Sequence, residues 1–105
     1  MKNGKFVDII SENGKMTAFI CGEIDHHSSK KIREEIDRAL CRNSPDKLTL
    51  DLSGVTFMDS SGLGLILGRY KKTESAGISF SVTGASERAS QMFSMVGLER
   101  LIKFE

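Results

Sequence analysis

Residues Phe57 to Lys72 read FMDSSGLGLILGRYKK, and the fold turns on how this stretch is read. Its apolar residues recur at helical spacing, yet the run opens on two hydroxyls and carries Gly62, Gly64 and Gly68. Each glycine inside a helix costs about 1 kcal/mol against alanine, so the three together weaken the segment by roughly 2 to 3 kcal/mol. A helix that keeps them has a first turn shaped by something other than helix stability. Gly77 closes it, and the strand-like run Ile78 to Thr83 follows.

Upstream, Lys47 to Leu52 alternates Leu48, Leu50 and Leu52 with polar residues and reads as a buried strand. Before it, Ser28 to Arg42 sets Ile32, Ile36, Ala39 and Leu40 on one face of a surface helix, which Asn43-Ser44-Pro45 stops because proline cannot continue the ladder. Phe6 to Ile10 and Lys15 to Cys21 are β-rich runs joined through Asn13-Gly14, a pair that tolerates the positive φ angles of a tight hairpin. Apolar groups on both alternating faces of Met16 to Cys21 predict a strand covered on both sides. Downstream, Ser86 fits an N-cap. Ala89, Met92, Phe93 and Val96 mark a third helix ending at Gly97, Leu101 to Phe104 fits a last strand, and Met95 fits either core or contact surface.

The order is strand, strand, helix, strand, helix, strand, helix, strand: an α/β arrangement in one domain spanning residues 1–105. Right-handed crossovers bring the loops Gly22 to His27, Ser53 to Ser60 and Gly84 to Ser86 to one sheet edge, where a site is expected. With 39% hydrophobic and 28% charged residues, the chain has the composition of a compact soluble domain. Fifteen basic against fourteen acidic residues, without a basic block or aromatic ladder, argue against nucleic acid as a partner. Cys21 and Cys41 form no disulfide framework or metal-ligand pair and read as reduced structural thiols. No apolar run suits a signal peptide or a membrane span, so a cytoplasmic protein is expected.

Three chemistries are conceivable at the shared edge. Gly62-Leu63-Gly64 sits where a nucleotide-binding loop would, but Gly68 falls one residue late for the dinucleotide fingerprint and the P-loop Lys-Ser/Thr pair is missing. Ser60 or Ser61 as a nucleophile would need a base, for which only His26 and His27 are at hand, and the strained Gly-x-Ser-x-Gly elbow is absent. Asp25, His26, His27 and Cys21 carry zinc-binding atoms, but adjacent histidines point apart and a closed site needs four converging ligands. No cofactor or metal is expected, and the histidines read most simply as a polar loop.

A helix N-terminus offers unpaired amides and about half a positive charge, a setting that suits an anion. Two roles are therefore open to Ser60: capping the helix, the commoner role of an N-terminal serine, or accepting a phosphate. Glycines at 62 and 64 would leave the amides uncovered for another protein, and Gly68 would let the helix lie near the sheet. Because Asp59 already places a negative charge there, a phosphate of about −2 would repel it and crowd a partner surface, making modification an off switch.

VTFMDSSGLGLILGRYKK resembles the phosphorylation-site segment of the anti-sigma-factor antagonists of the STAS domain family. GEIDHHSSKKI (Gly22 to Ile32), LDLSGV (Leu50 to Val55) and MFSMVGLERLIKFE (Met92 to Glu105) are similar to that family's other segments, and the Asp-His-His stretch narrows the likeness to the sporulation type. Met1 to Lys5 fall outside it. The resemblance implies a single STAS domain: a mixed sheet of about five strands with helices packed mainly on one face. It also implies a phosphoacceptor at Ser60, with Asp25 and Asp51 nearby and Asp51 supporting the site. The expected partner-binding set is Asp25, His26, His27, Asp59, Ser61, Gly62, Leu63 and Gly64. The implied partners are an anti-sigma factor that is also a serine kinase of the histidine-kinase-like ATPase fold, and a PP2C-type phosphatase. Such a protein is a binding switch; the alternative is a small enzyme or nucleotide-binding domain using Ser60, the histidines or the glycines.

Overall fold

Asn13 and Gly14 hold φ angles of 54° and 79°, the two positive values a two-residue hairpin turn needs, and fold β1 (Val7–Glu12) back on β2 (Lys15–Ile24). The computed structural model describes residues 6–105; Met1 to Lys5 lie outside the described residues. After the hairpin come α1 (His26–Asn43), β3 (Lys47–Met58), α2 (Ser60–Ser75), β4 (Ser79–Thr83), α3 (Glu87–Met95), a 3-10 turn (Leu98–Arg100) and β5 (Lys103–Phe104).

The five strands lie in sequence order, β1 antiparallel to β2 and every later pair parallel. Each crossover steps one strand further in the same direction, so right-handed connections put all three helices on one face. Burial follows this geometry. Met16, Ala18, Ile20, Leu48, Leu50 and Val82 point inward beneath Ile32, Ile36, Leu65, Ile66 and Phe93, and all are buried. The domain is a single α/β unit with a mixed five-stranded sheet.

On the other sheet face β2 is open among the described residues, which corrects the expectation for that strand. The register aligns Asp8, Phe19 and Asp51 across three strands on that face. Phe19 is 40% exposed there, and Thr49 meets Ser81 hydroxyl to hydroxyl at 3.1 Å. Cys21 and Cys41 are both exposed, so neither is a core thiol. Met95 and Val96 face solvent, which assigns Met95 to the surface and removes Val96 from the apolar side of α3.

Strand β2 runs past Cys21 to Ile24, β5 is shorter than the expected Leu101 to Phe104, and two further boundary differences have clear reasons. Helix α1 begins at His26, two residues before Ser28, because Asp25 supplies the cap. Strand β3 runs past Leu52 to Met58, its second half pairing with β2 alone, whose register shifts between Phe19 and Cys21 and again between Gly22 and Glu23. Leu50→Ala is expected to cost about 2 to 5 kcal/mol, as large-to-small core changes do, whereas Phe19→Thr on the open face costs under about 1 kcal/mol; urea unfolding of both variants checks the contrast.

Candidate functional site

The parallel pairing of β2 and β3 ends at Ile24 and Met58, and the Asp59 amide then donates to the Ile24 carbonyl at 3.1 Å. That bond sets the first turns of α1 and α2 side by side at the carboxyl edge of the sheet. Both helices open on an aspartate in extended backbone. The Asp59 carboxylate accepts from the Ser61 amide at 2.8 Å and also from the Ser61 hydroxyl. At α1, Asp25 accepts from the His27 amide at 2.9 Å and the Ser28 amide at 2.8 Å, while the Asp25 amide donates to the Ser28 hydroxyl oxygen at 3.1 Å. The second arrangement is a capping box, with Ser28 buried and its hydroxyl bonded to the Glu23 carbonyl at 2.6 Å.

These caps leave Ser60 outside the capping position. Asp59 takes the capping position, so Ser60 becomes the first helical residue, exposed, with no hydrogen bond to its hydroxyl among the described residues. The capping alternative for Ser60 is thereby corrected. Ser61 is half-buried and engaged with Asp59. His26 and His27 are exposed on the first turn of α1, and neither hydrogen-bonds Ser60. Among the described residues no three His, Cys, Asp or Glu side chains converge as metal ligands.

The expected site residues separate into three groups. Asp25, His26, His27, Asp59, Ser61, Leu63 and Gly64 lie on the first turns of the two adjacent helices, and Gly64 is open, with nothing within 4 Å of where a Cβ would stand. Gly62 is buried instead. A Cβ there would sit 2.5 Å from the Met58 sulfur and 3.5 Å from Ile24 Cγ2, so this glycine lets α2 start close against β3 and does not bare its backbone to a partner. Gly68 has open space and does not draw the helix onto the sheet. Asp51 is also apart from Ser60. It pairs opposite Phe19, five residues and roughly 16 Å along β2 from Ile24, and accepts from the Ser53 amide at 2.9 Å.

The sequence reading missed Ser28 and the capping role of Asp59. The signal for the first was Asp25 followed three residues later by a hydroxyl; for the second, Asp directly before the first helical residue. The Ser28 amide is the largest cause of a lowered Asp25 pKa, the His27 amide adds to it, and desolvation opposes it.

This is a small α/β domain whose candidate site is an edge built from two aspartate-capped helix starts. The STAS domain pattern matches residues 8–105, and the chain belongs to the STAS domain family. It is 33% identical over 96 residues to the anti-sigma F factor antagonist of Paenibacillus polymyxa, covering 91% of this chain and 82% of that protein. It is equally identical to the anti-sigma-B factor antagonist of Bacillus subtilis, over 91% of this chain and 86% of that one. Among solved structures, the unphosphorylated form of the anti-sigma factor antagonist SpoIIAA superposes with a TM-score of 0.80 at 25% identity, covering 94% of this chain and 87% of that one. A structure of the Bacillus cell fate determinant SpoIIAA in the phosphorylated form gives 0.74 at 25% identity, over 94% and 90%.

Urea unfolding separates the roles assigned at this edge. Asp59→Ala loses about 1 kcal/mol with its cap, Ser60→Ala changes stability by less than about 0.5 kcal/mol, and Gly62→Val loses about 1 to 3 kcal/mol by overpacking against Met58. Because the folded-state pKa of Asp25 is depressed, its capping contribution is present above the ordinary carboxylate value and is lost as pH falls through the lower folded one. A carboxyl NMR titration of Asp25 with a midpoint below the ordinary aspartate value is expected.

Proposed function

We propose that this domain is an anti-sigma factor antagonist, a binding switch controlled by phosphorylation of Ser60. The observation that carries the reading is the position of that hydroxyl: exposed on the first turn of α2, with the helix cap already supplied by Asp59. A kinase reaches it without unfolding the helix, and its removal leaves the fold intact. The names of the relatives support the antagonist reading, and the pair of SpoIIAA forms supports modification as the control.

In the unmodified state the partner, an anti-sigma factor that is itself a serine kinase of the histidine-kinase-like ATPase fold, docks on the paired helix starts. It meets Asp25, His26, His27, Asp59, Ser61, Leu63 and Gly64, and its sigma factor is released. Phosphate on Ser60 adds a charge of about −2 beside the Asp59 and Asp25 carboxylates, which are themselves anionic, so the docked face becomes strongly negative and blocked. A PP2C-type phosphatase restores it. The domain acts by binding; Gly62 serves packing, and Asp51 braces the Ser53 segment away from the docking edge.

Incubation with ATP and the cognate kinase, followed by peptide mass mapping, is expected to place one phosphate on Ser60 and none on Ser60→Ala. The same variant is expected to hold the kinase in the presence of ATP, while Ser60→Asp binds it weakly. Phosphate on Ser61, or equal binding by the two variants, would contradict the assignment.

A further inference from the structure

Asp37 of α1 grips α2 at two points. Arg69 is only 6% exposed, and its Nε lies 3.0 Å from Asp37 Oδ1. The other carboxylate oxygen, Oδ2, lies 3.9 Å from Nζ of Lys72, a half-exposed side chain. Among the described residues, no other ion pair or side-chain hydrogen bond crosses between the two helices. Nearer the helix starts, Ser29 and Arg33 of α1 face Ser61, Gly64 and Gly68 of α2 across an open cleft. Nothing stands within 4 Å of where a Cβ of Gly64 or Gly68 would be, so no knob-in-hole contact joins the helices there.

As a stabiliser the buried pair is poor. Among the described residues Arg69 Nε, Arg69 Nη1 and Asp37 Oδ1 make no directed hydrogen bond, and a buried ion pair offsets its desolvation only when geometry and partners are good. Burial pushes the Arg69 pKa down, the Asp37 charge pulls it up, and Arg33 pushes it down again. The geometry suits a different task. Arg69 and Lys72 lie three residues apart on one side of α2 and hold different oxygens of one carboxylate, so turning or sliding α2 lengthens at least one contact. Arg33 precedes Asp37 by about one turn of α1, so moving Arg69 towards the helix starts exchanges an attraction for a repulsion. The apolar groups beneath, Ile36 and Ile66 among them, attract without direction.

We propose that Asp37 and Arg69 are positioning residues whose ion pair, with Lys72 on the second oxygen, fixes the rotation of α2 against α1 and so aims the Ser60 hydroxyl. The bond from the Asp59 amide to Ile24 sets where α2 starts, whereas rotation about its own axis is set by side chains. Ser60 and Arg69 share one unbroken helix, so a rotation at Arg69 is carried to the first turn. At a side-chain radius of about 5 Å, a turn of about 20° displaces an atom by roughly 2 Å, more than phosphoryl transfer tolerates. That consequence for phosphorylation rests on the function proposed above; the control of rotation does not.

The test replaces both charges by apolar groups of similar volume, Asp37→Leu with Arg69→Met, and compares the amide residual dipolar couplings of α2 with those of the strands. The α2 couplings are expected to depart from the wild-type orientation while the unfolding midpoint stays equal or rises. Lys72→Ala, a change on a half-exposed side chain, is expected to move the same couplings in the same sense by less, and it carries the test if the double variant does not fold. With the kinase, kcat for Ser60 is expected to fall about tenfold in the double variant at a KM unchanged within about twofold, the pattern of a displaced reacting group on a docked substrate. Wild-type α2 couplings in every variant that folds would overturn the proposal, as would a lowered midpoint with unchanged couplings, the mark of a pair that only stabilises. Shifted couplings with an unchanged kcat would overturn the aiming of Ser60. If the kinase leaves the wild-type protein unmodified, the function proposed above fails, and the couplings still decide the role of the pair.

Discussion

The constraint on which the site depends is the pair of hydrogen bonds that Asp59 makes to Ser61. A helix start has amides that must be satisfied, and the residue that does so is committed to that task. With Asp59 committed, Ser60 stands on the first turn with its hydroxyl turned to solvent and no structural duty. A serine used as the cap would exchange helix stability for modification. Here the cap and the proposed phosphoacceptor fall on adjacent residues, so the modification proposed for Ser60 would leave the Asp59 cap of α2 in place.

The sheet supplies the second half of the arrangement. Its strands run in sequence order with right-handed crossovers, so the helices share one face and their starts share one edge. The long continuation of β3 to Met58, paired only with β2, carries the start of α2 outward until the Asp59 amide meets the Ile24 carbonyl. Gly62 then allows the helix to begin directly against Met58. The neighbouring start of α1, fixed by the Asp25–Ser28 box, completes a surface made of two positive helix ends and two aspartates.

Much of this was legible in the residues. Asn13-Gly14 marked the hairpin, the alternating leucines at 48, 50 and 52 marked β3, and Ser86 marked the start of α3, whose cap accepts from the Ala89 amide at 3.0 Å. Ser53-Gly54 read as the end of a strand, because period and composition cannot show that a neighbouring strand shifts register to accompany it. The same limit misplaced Asp51, whose separation from Ser60 grows with every residue β3 adds. Phe19 looked like core because alternation shows only that two faces carry apolar groups, not that a layer covers each. Gly62 and Gly64 are identical in sequence and opposite in role: one meets Met58 and the other meets nothing, a difference set wholly by tertiary contact.

The central claim is that charge placed on one exposed hydroxyl closes the docking edge without disturbing the fold. It is tested most directly by calorimetry of the anti-sigma factor kinase against stoichiometrically Ser60-phosphorylated protein and unmodified protein, with the unfolding midpoint of each measured alongside. The account predicts binding weakened about tenfold or more, equivalent to about 1.4 kcal/mol, at an unchanged midpoint. Equal affinity for the two forms, or a loss of binding that tracks a collapse in stability, would contradict it.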